Sequence, residues 1–127
     1  MAEKDRMLEL GFGRIVNISS SGAFRVSPNA ASYGAAKAGV VALTKGWAQA
    51  WGRKNIRVNC IAPGVIETEA NAGVDPAFIE KLRQDTPLGR IGEPREVADA
   101  TAFMLSEASS FIDGQTLVVC GGRVMLP

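Results

Sequence analysis

The sequence predicts an α/β chain built on a short parallel sheet. Two observations carry that expectation. Three brief apolar runs, at residues 14–19, 56–61 and 116–120, are each bounded by glycine, proline or serine, the signature of short buried strands. Longer stretches with apolar residues at helical spacing lie between them, at about 32–51 and 94–106. Strand alternating with helix makes parallel βαβ units. Right-handed crossovers are then expected to place helices on both faces of a three-stranded sheet.

Each element has its own warrant. Residues 1–12 read as the tail of a helix preceding the first strand. Pro28 and Asn29 mark the loop before the long helix. Val40, Val41, Leu43, Trp47 and Trp51 supply that helix with apolar positions, for core or for an interface. Ala35, Ala36, Ala38, Gly39 and Ala42 are small, which suits close approach of a cofactor or another backbone, or tight packing on the sheet. Gly52 offers a C-terminal stop. Pro63-Gly64 ends the second strand. Residues 65–92 read as loop around a short helix, with Asp75 as its N-cap and Pro76 in its first position. Phe78, Ile79 and Leu82 give that helix one greasy side, which serves equally as a lid over a ligand or a cover over core. Pro94 opens the last helix, with Val97, Ala98, Thr101, Met104 and Leu105 as its buried stripe. Gly121-Gly122 ends the third strand.

The chemistry lies in three residues. Tyr33, the single tyrosine of the chain, stands four before Lys37 on the long helix, so the two share a face. Ser20 closes the first strand run and brings a hydroxyl to the same mouth. A free phenol has a pKa of about 10. A neighbouring ammonium pulls it down and makes tyrosine a usable general acid or base. Serine donates to a carbonyl oxygen that gains charge during reduction. No side chain supplies a hydride, so a nicotinamide cofactor must bring it.

The order strand, serine, loop, tyrosine, lysine, helix resembles the short-chain dehydrogenase/reductase family. Three further stretches are similar to that family: Asn59-Cys60-Ile61-Ala62-Pro63-Gly64-Val65-Ile66-Glu67-Thr68, Pro87-Leu88-Gly89-Arg90-Ile91-Gly92-Glu93-Pro94-Arg95-Glu96-Val97-Ala98, and Gly114-Gln115-Thr116-Leu117-Val118-Val119-Cys120-Gly121-Gly122. The resemblance runs from Gly13 onward, nearest in flavour to the ketoacyl-carrier-protein reductases. It implies the C-terminal half of a Rossmann-like doubly wound parallel sheet, about three strands with flanking helices. Its parts are 13–64 with the Ser, Tyr and Lys, 65–92 as substrate loop, and 93–127 as last helix and strand. It further implies NAD or NADP as cofactor and a small carbonyl or alcohol as substrate. Tyr33 would be the acid/base, Lys37 would lower its pKa and hold the nicotinamide ribose, and Ser20 would orient the substrate carbonyl. Ile66, through its backbone, and Thr68 would contact the carboxamide, with Pro63 and Gly64 shaping the wall.

The sequence also departs from the family. The family's glycine-rich turn, where pyrophosphate meets a helix N-terminus, has no counterpart here. Gly11-Phe12-Gly13 leads into a strand instead. The residue that reads the adenosine ribose, the Asn-Asn-Ala-Gly segment and the asparagine of the catalytic set have no counterpart either. Cys120 stands where many relatives carry aspartate or asparagine. Cofactor binding by this chain alone is therefore expected to be weak or absent.

Composition excludes several classes. Of 127 residues, 14 are basic and 13 acidic, for a net charge of +1, which argues against nucleic acid or an anionic membrane as partner. The charged start is no secretory signal, and no apolar run approaches ~18 residues. The absence of histidine removes Ser-His-Asp hydrolysis and weakens any metal site. Cys60 and Cys120 read as buried reduced thiols of a cytoplasmic protein.

The first strand would normally pair with a strand of the missing half. Its edge should lie open and invite another chain. The expected partner is a second copy, in a homo-oligomer, or a chain carrying the N-terminal half. Three readings follow: an oxidoreductase site active with a complementing half, a non-catalytic assembly subunit, or a truncated remnant.

Overall fold

A computed structural model describes residues 2–69 and 73–127. Helix α1 (Glu3–Leu10) leads into strand β1 (Gly13–Ile18). The long helix α2 (Ala31–Trp51) follows, then β2 (Ile56–Pro63), α3 (Pro76–Gln84), α4 (Pro94–Leu105) and β3 (Thr116–Val119). The strands form one parallel sheet in the order β1-β2-β3. This is half of a Rossmann-like sheet with flanking helices.

β2 is the centre. Residues from Ile56 to Ala62 are all buried, as a parallel strand covered on both faces requires. Its alternating side chains serve two layers. Ile56 and Val58 form a core with Ala48 of α2, and Met7, Leu8, Ile15, Trp47 and Trp51 pack around it. The two tryptophans therefore serve the core, with their rings stacked 5.2 Å apart. Each buried apolar side chain of this kind stabilises by about 1.5–3 kcal/mol. Arg57 and Asn59 point the other way. Arg57 donates to the carbonyl oxygens of Ser106, Ser109 and Ile112 and to the Ser109 hydroxyl. Asn59 donates to Ile112 O and accepts from Gln115 N–H. Asp113 caps the bundle by accepting the Val58 N–H at 2.8 Å. These bonds hang β3 and the end of α4 on β2.

That parity settles the layers. Asn17 on β1 bonds Thr44 of α2, whereas Arg14 on β1 bonds Glu107 beyond α4. Helices α1 and α2 thus cover one face and α4 the other. Both connections step one strand in the same direction, β1 to β2 to β3. With α2 and α4 on opposite faces, the two crossovers have opposite hands. The uniform right hand expected from sequence does not hold. The 30-residue excursion between β2 and α4 gives the chain length enough to cross the sheet edge.

Other expectations shift locally. β1 ends at Ile18, one residue short, and is half-buried along most of its length, with Ile18 46% exposed. Its outer edge is bare, so it lacks the burial expected of it. Gly52 does not take the left-handed stop. The chain runs on through a 3-10 turn, Gly52–Lys54, and Asn55 takes φ 59°; asparagine tolerates that region better than most residues. Leu43 is exposed, as are Ala35, Ala36, Ala38, Gly39 and Ala42 on the same flank of α2. On α4 the buried side runs through Val97, Ala100, Thr101 and Met104, leaving Ala98 and Leu105 outside, because those two lie off the face that meets the sheet. Cys60 is buried and Cys120, just past β3, half-buried; both are free thiols. Asp75 caps α3 as expected, its carboxylate accepting the Ala77 N–H at 2.9 Å, and Ile79 and Leu82 are its half-buried residues while Phe78 is exposed. Among the described residues, no helix is long and apolar enough to cross a membrane.

Candidate active site

Because the strands are parallel, their carboxyl ends share one edge of the sheet. Ser20 lies two residues past β1, Pro63 and Gly64 close β2, and Cys120-Gly121 follow β3. Helix α2 starts at this edge, so Tyr33 and Lys37 stand on its first two turns.

Gly22 joins two of these residues. Ser20 Oγ accepts the Gly22 N–H at 3.0 Å, which caps the 3-10 turn Ser21–Ala23. A methyl group built on Gly22 would lie 3.3 Å from Ser20 Oγ and 3.2 Å from Tyr33 Cε1. Serine and tyrosine thus flank the same bare Cα. Sequence reasoning missed Gly22; the signal was a lone glycine two residues after the serine.

Lys37 completes the group. Its Nζ lies 5.9 Å from the centre of the Tyr33 ring and donates to the carbonyl oxygen of Ile18 at 3.2 Å. That carbonyl has a specific place in the sheet. The N–H groups of Gly13 and Ser19 bond β2, so odd-numbered residues of β1 face β2 and even-numbered ones face the bare edge. Lys37 therefore reaches over the open edge of β1. Tyr33 is 51% exposed, and its hydroxyl has no partner among the described residues.

The remaining expected residues stand nearby along the edge. Gly64 donates its N–H to Val119 O at 2.8 Å, and a methyl group there would strike Cys120 Cβ at 2.7 Å. Only glycine lets the chain leave β2 so close to β3. Ile66 bridges Gly92 in a parallel pair and lines a cleft of about 230 Å³ with Thr86, Leu88, Arg90 and Cys120. Thr68 is exposed just before the undescribed residues 70–72. Ser20, Tyr33 and Lys37 are not in the lining of that cleft. The candidate site is an open shelf at the bare edge of β1, walled on one side.

Arg90 grips Glu96 with two short bonds, 2.6 and 2.9 Å, and the Glu93 N–H adds a third at 2.8 Å. These hold the Glu96 carboxyl down to about 2, with Arg90 the larger cause. Burial pushes the Cys60 thiol up.

A nicotinamide riboside suits the donors present: an ammonium, a phenol and a hydroxyl at one mouth, beside a glycine-walled strand end. The pyrophosphate end finds no cradle in Gly11-Phe12-Gly13. Gly11 has φ 61° and ends α1, and Gly13 starts β1 at the amino edge, opposite the shelf.

One parallel sheet thus carries a hydroxyl, a phenol and an amine near its carboxyl edge. The family profile described as Enoyl-(Acyl carrier protein) reductase matches residues 1–123. The 3-oxoacyl-[acyl-carrier-protein] reductase FabG of Chlamydia muridarum is 46% identical over 116 residues, 91% of this chain and 47% of that protein. A gluconate 5-dehydrogenase from Burkholderia cenocepacia, solved with NADP and tartrate, superposes with a TM-score of 0.90 at 42% identity, over 94% of this chain and 48% of that one. A 3-oxoacyl-[acyl-carrier protein] reductase from Brucella melitensis with bound NAD gives 0.88 at 38% identity, over 97% and 45%. The chain belongs to the short-chain dehydrogenase/reductase family. It spans about half the length of the relatives it matches.

Proposed function

We propose that this chain is the catalytic half of an NAD(P)-dependent oxidoreductase that interconverts a small carbonyl compound and a secondary alcohol. The carrying observation is the meeting of Ser20 and Tyr33 across Gly22, with the Lys37 amine beside the Tyr33 ring. A nicotinamide cofactor, NAD or NADP, supplies or accepts the hydride when bound. Lys37, Tyr33, Pro63, Gly64, the Ile66 backbone and Thr68 would hold its nicotinamide riboside.

In the reducing direction Tyr33 gives its phenolic proton to the carbonyl oxygen as that oxygen gains negative charge. Ser20 Oγ already accepts from Gly22, so its own hydrogen is free to donate to the same oxygen. The Lys37 ammonium favours the charge left on the phenol and offers donors to the ribose hydroxyls. In the oxidising direction Tyr33 takes the proton back. Residues 65–69 and 73–92 would form the substrate side of the shelf.

The shelf needs its second wall. The bare edge of β1 and the absence, among the described residues, of a phosphate cradle support a requirement for a complementing N-terminal half, brought by further polypeptide and pairing with β1. The test mixes this chain with a polypeptide bearing the glycine-rich half of a relative and follows oxidation of NADPH or NADH by a panel of small ketones. Turnover in the mixture, reduced at least about 10²-fold by Tyr33→Phe, is expected. Turnover unchanged by Tyr33→Phe removes the mechanism.

A further inference from the structure

Two adjacent serines at the end of β1 do different work. Ser20 faces the shelf. Ser19 is buried, 3% exposed, and its Oγ donates to the backbone carbonyl of Lys37 at 2.8 Å. The Ser19 N–H makes the last rung to β2, onto Ile61 O at 2.8 Å. Lys37 in turn sends its Nζ back to the carbonyl of Ile18 at 3.2 Å. Consecutive residues at the end of the strand thus hold both ends of one lysine: its backbone through Ser19 and its amine through Ile18.

A second tie joins α2 to β1, from Asn17 Nδ2 to Thr44 Oγ1 at 3.0 Å. It lies seven residues, two helical turns, further along α2. The two ties have separate tasks. Asn17 fixes the body of the helix on the sheet, whereas Ser19 fixes the turn that carries the amine.

We propose that Ser19 is a positioning residue: its hydroxyl sets where the Lys37 ammonium stands relative to Tyr33. The proposal rests on the catalytic reading above, since it concerns the same site. A buried hydroxyl that merely satisfied a carbonyl would not discriminate between Lys37 and the rest of the fold. A positioning hydroxyl acts through Lys37 and through nothing else near Tyr33, so its effect must vanish when the amine is gone.

The single tyrosine makes this readable without turnover or cofactor. The chain is labelled with tyrosine carrying ¹³C at Cζ, which gives one signal from Tyr33. That signal is compared at fixed pH in the unmodified chain, Ser19→Ala, Lys37→Met, the double variant and Asn17→Ala. Ser19→Ala should move the signal most of the way to its Lys37→Met position, and should add nothing in the Lys37→Met background. Asn17→Ala should lower the melting temperature and leave the signal in place. Ser19→Cys, near in size but a weak donor, replaces Ser19→Ala if that variant does not fold. A Tyr33 signal unmoved by the loss of the hydroxyl, or moved equally with and without Lys37, overturns the proposal. Failure of the catalytic reading would show as absent turnover in the assembled enzyme and would leave this cycle intact.

Discussion

The hydroxyl oxygen of Ser20 accepts the backbone N–H of Gly22 at 3.0 Å. That bond makes the serine an acceptor towards the protein and leaves it a donor towards a ligand. It also brings a residue without a side chain against the Tyr33 ring, where an added methyl group would press on the ring.

Gly22→Ala should therefore displace the tyrosine. The added methyl group would meet the ring and the serine oxygen at 3.2 and 3.3 Å, and both belong to the site. Displacement of the acid/base by a fraction of an ångström is expected to lower kcat/KM of the assembled enzyme about 10- to 100-fold, with little change in melting temperature. Steady-state kinetics beside a thermal melt check this; unaltered kcat/KM would mean the ring can tilt at no cost.

Arg57→Met should destabilise the fold by about 1.5–3 kcal/mol, the loss of charge-assisted hydrogen bonds. The guanidinium is buried, its side chain 8% exposed, and methionine fills similar space without a donor. The carbonyls of Ser106, Ser109 and Ile112 would each lose a charged donor while keeping a neutral one, from the Ser109 hydroxyl, the Ile112 N–H and Asn59 respectively. Urea unfolding measures the loss, and a value under about 1 kcal/mol would show that the neutral donors alone hold the three carbonyls.

Glu96 predicts a feature of the acid limb of stability. Its carboxyl titrates at about 2 in the fold, below the ordinary 4.5. A group depressed by folding stabilises the native state fully above its unfolded value. That contribution drains away as pH falls from about 4.5 towards 2. Arg90→Gln should raise the Glu96 midpoint, followed by carboxyl ¹³C resonance, and flatten stability over that window. A midpoint left near 2 would assign the depression to the Glu93 N–H instead.

The two thiols should differ sharply towards a disulfide reagent. Cys60 is fully buried and held as a thiol by burial, so it should react only as the chain unfolds. Cys120 is half-buried and bonded to Val124, and should react in the folded protein. Release of two equivalents at one rapid rate would contradict this difference.

The strands and helices were legible because each is punctuated. Glycine, proline or an acidic cap marks β1, β2, α3 and α4, and apolar periodicity does the rest. Ser20, Tyr33 and Lys37 were legible because their spacing follows from a strand end and a helix face. Other features depend on what the elements meet in three dimensions. The flank of α2 bearing Leu43 turned outward because no element among the described residues packs there, and Ala98 and Leu105 did so because the sheet touches a narrower face of α4. Asn55 took the left-handed turn expected at Gly52 because the helix tightened before ending. Gly22 and Ser19 act through a ring and a backbone carbonyl, contacts that leave no trace in spacing. The hand of each crossover was not readable either, since it depends on which face a helix chooses after a long excursion.

The clamp around Arg57 gathers at the amino ends of the strands, whereas Ser20, Tyr33 and Lys37 stand at their carboxyl ends. From Arg57 to Pro63 the central strand climbs roughly 20 Å. Substitutions so far apart, sharing no partner, add rather than interfere. The sheet thus works as an insulator between what keeps the protein folded and what it offers to a ligand. Descendants of this chain can retune the shelf one residue at a time without reopening the question of how β3 is held, and can lose the shelf without losing the fold.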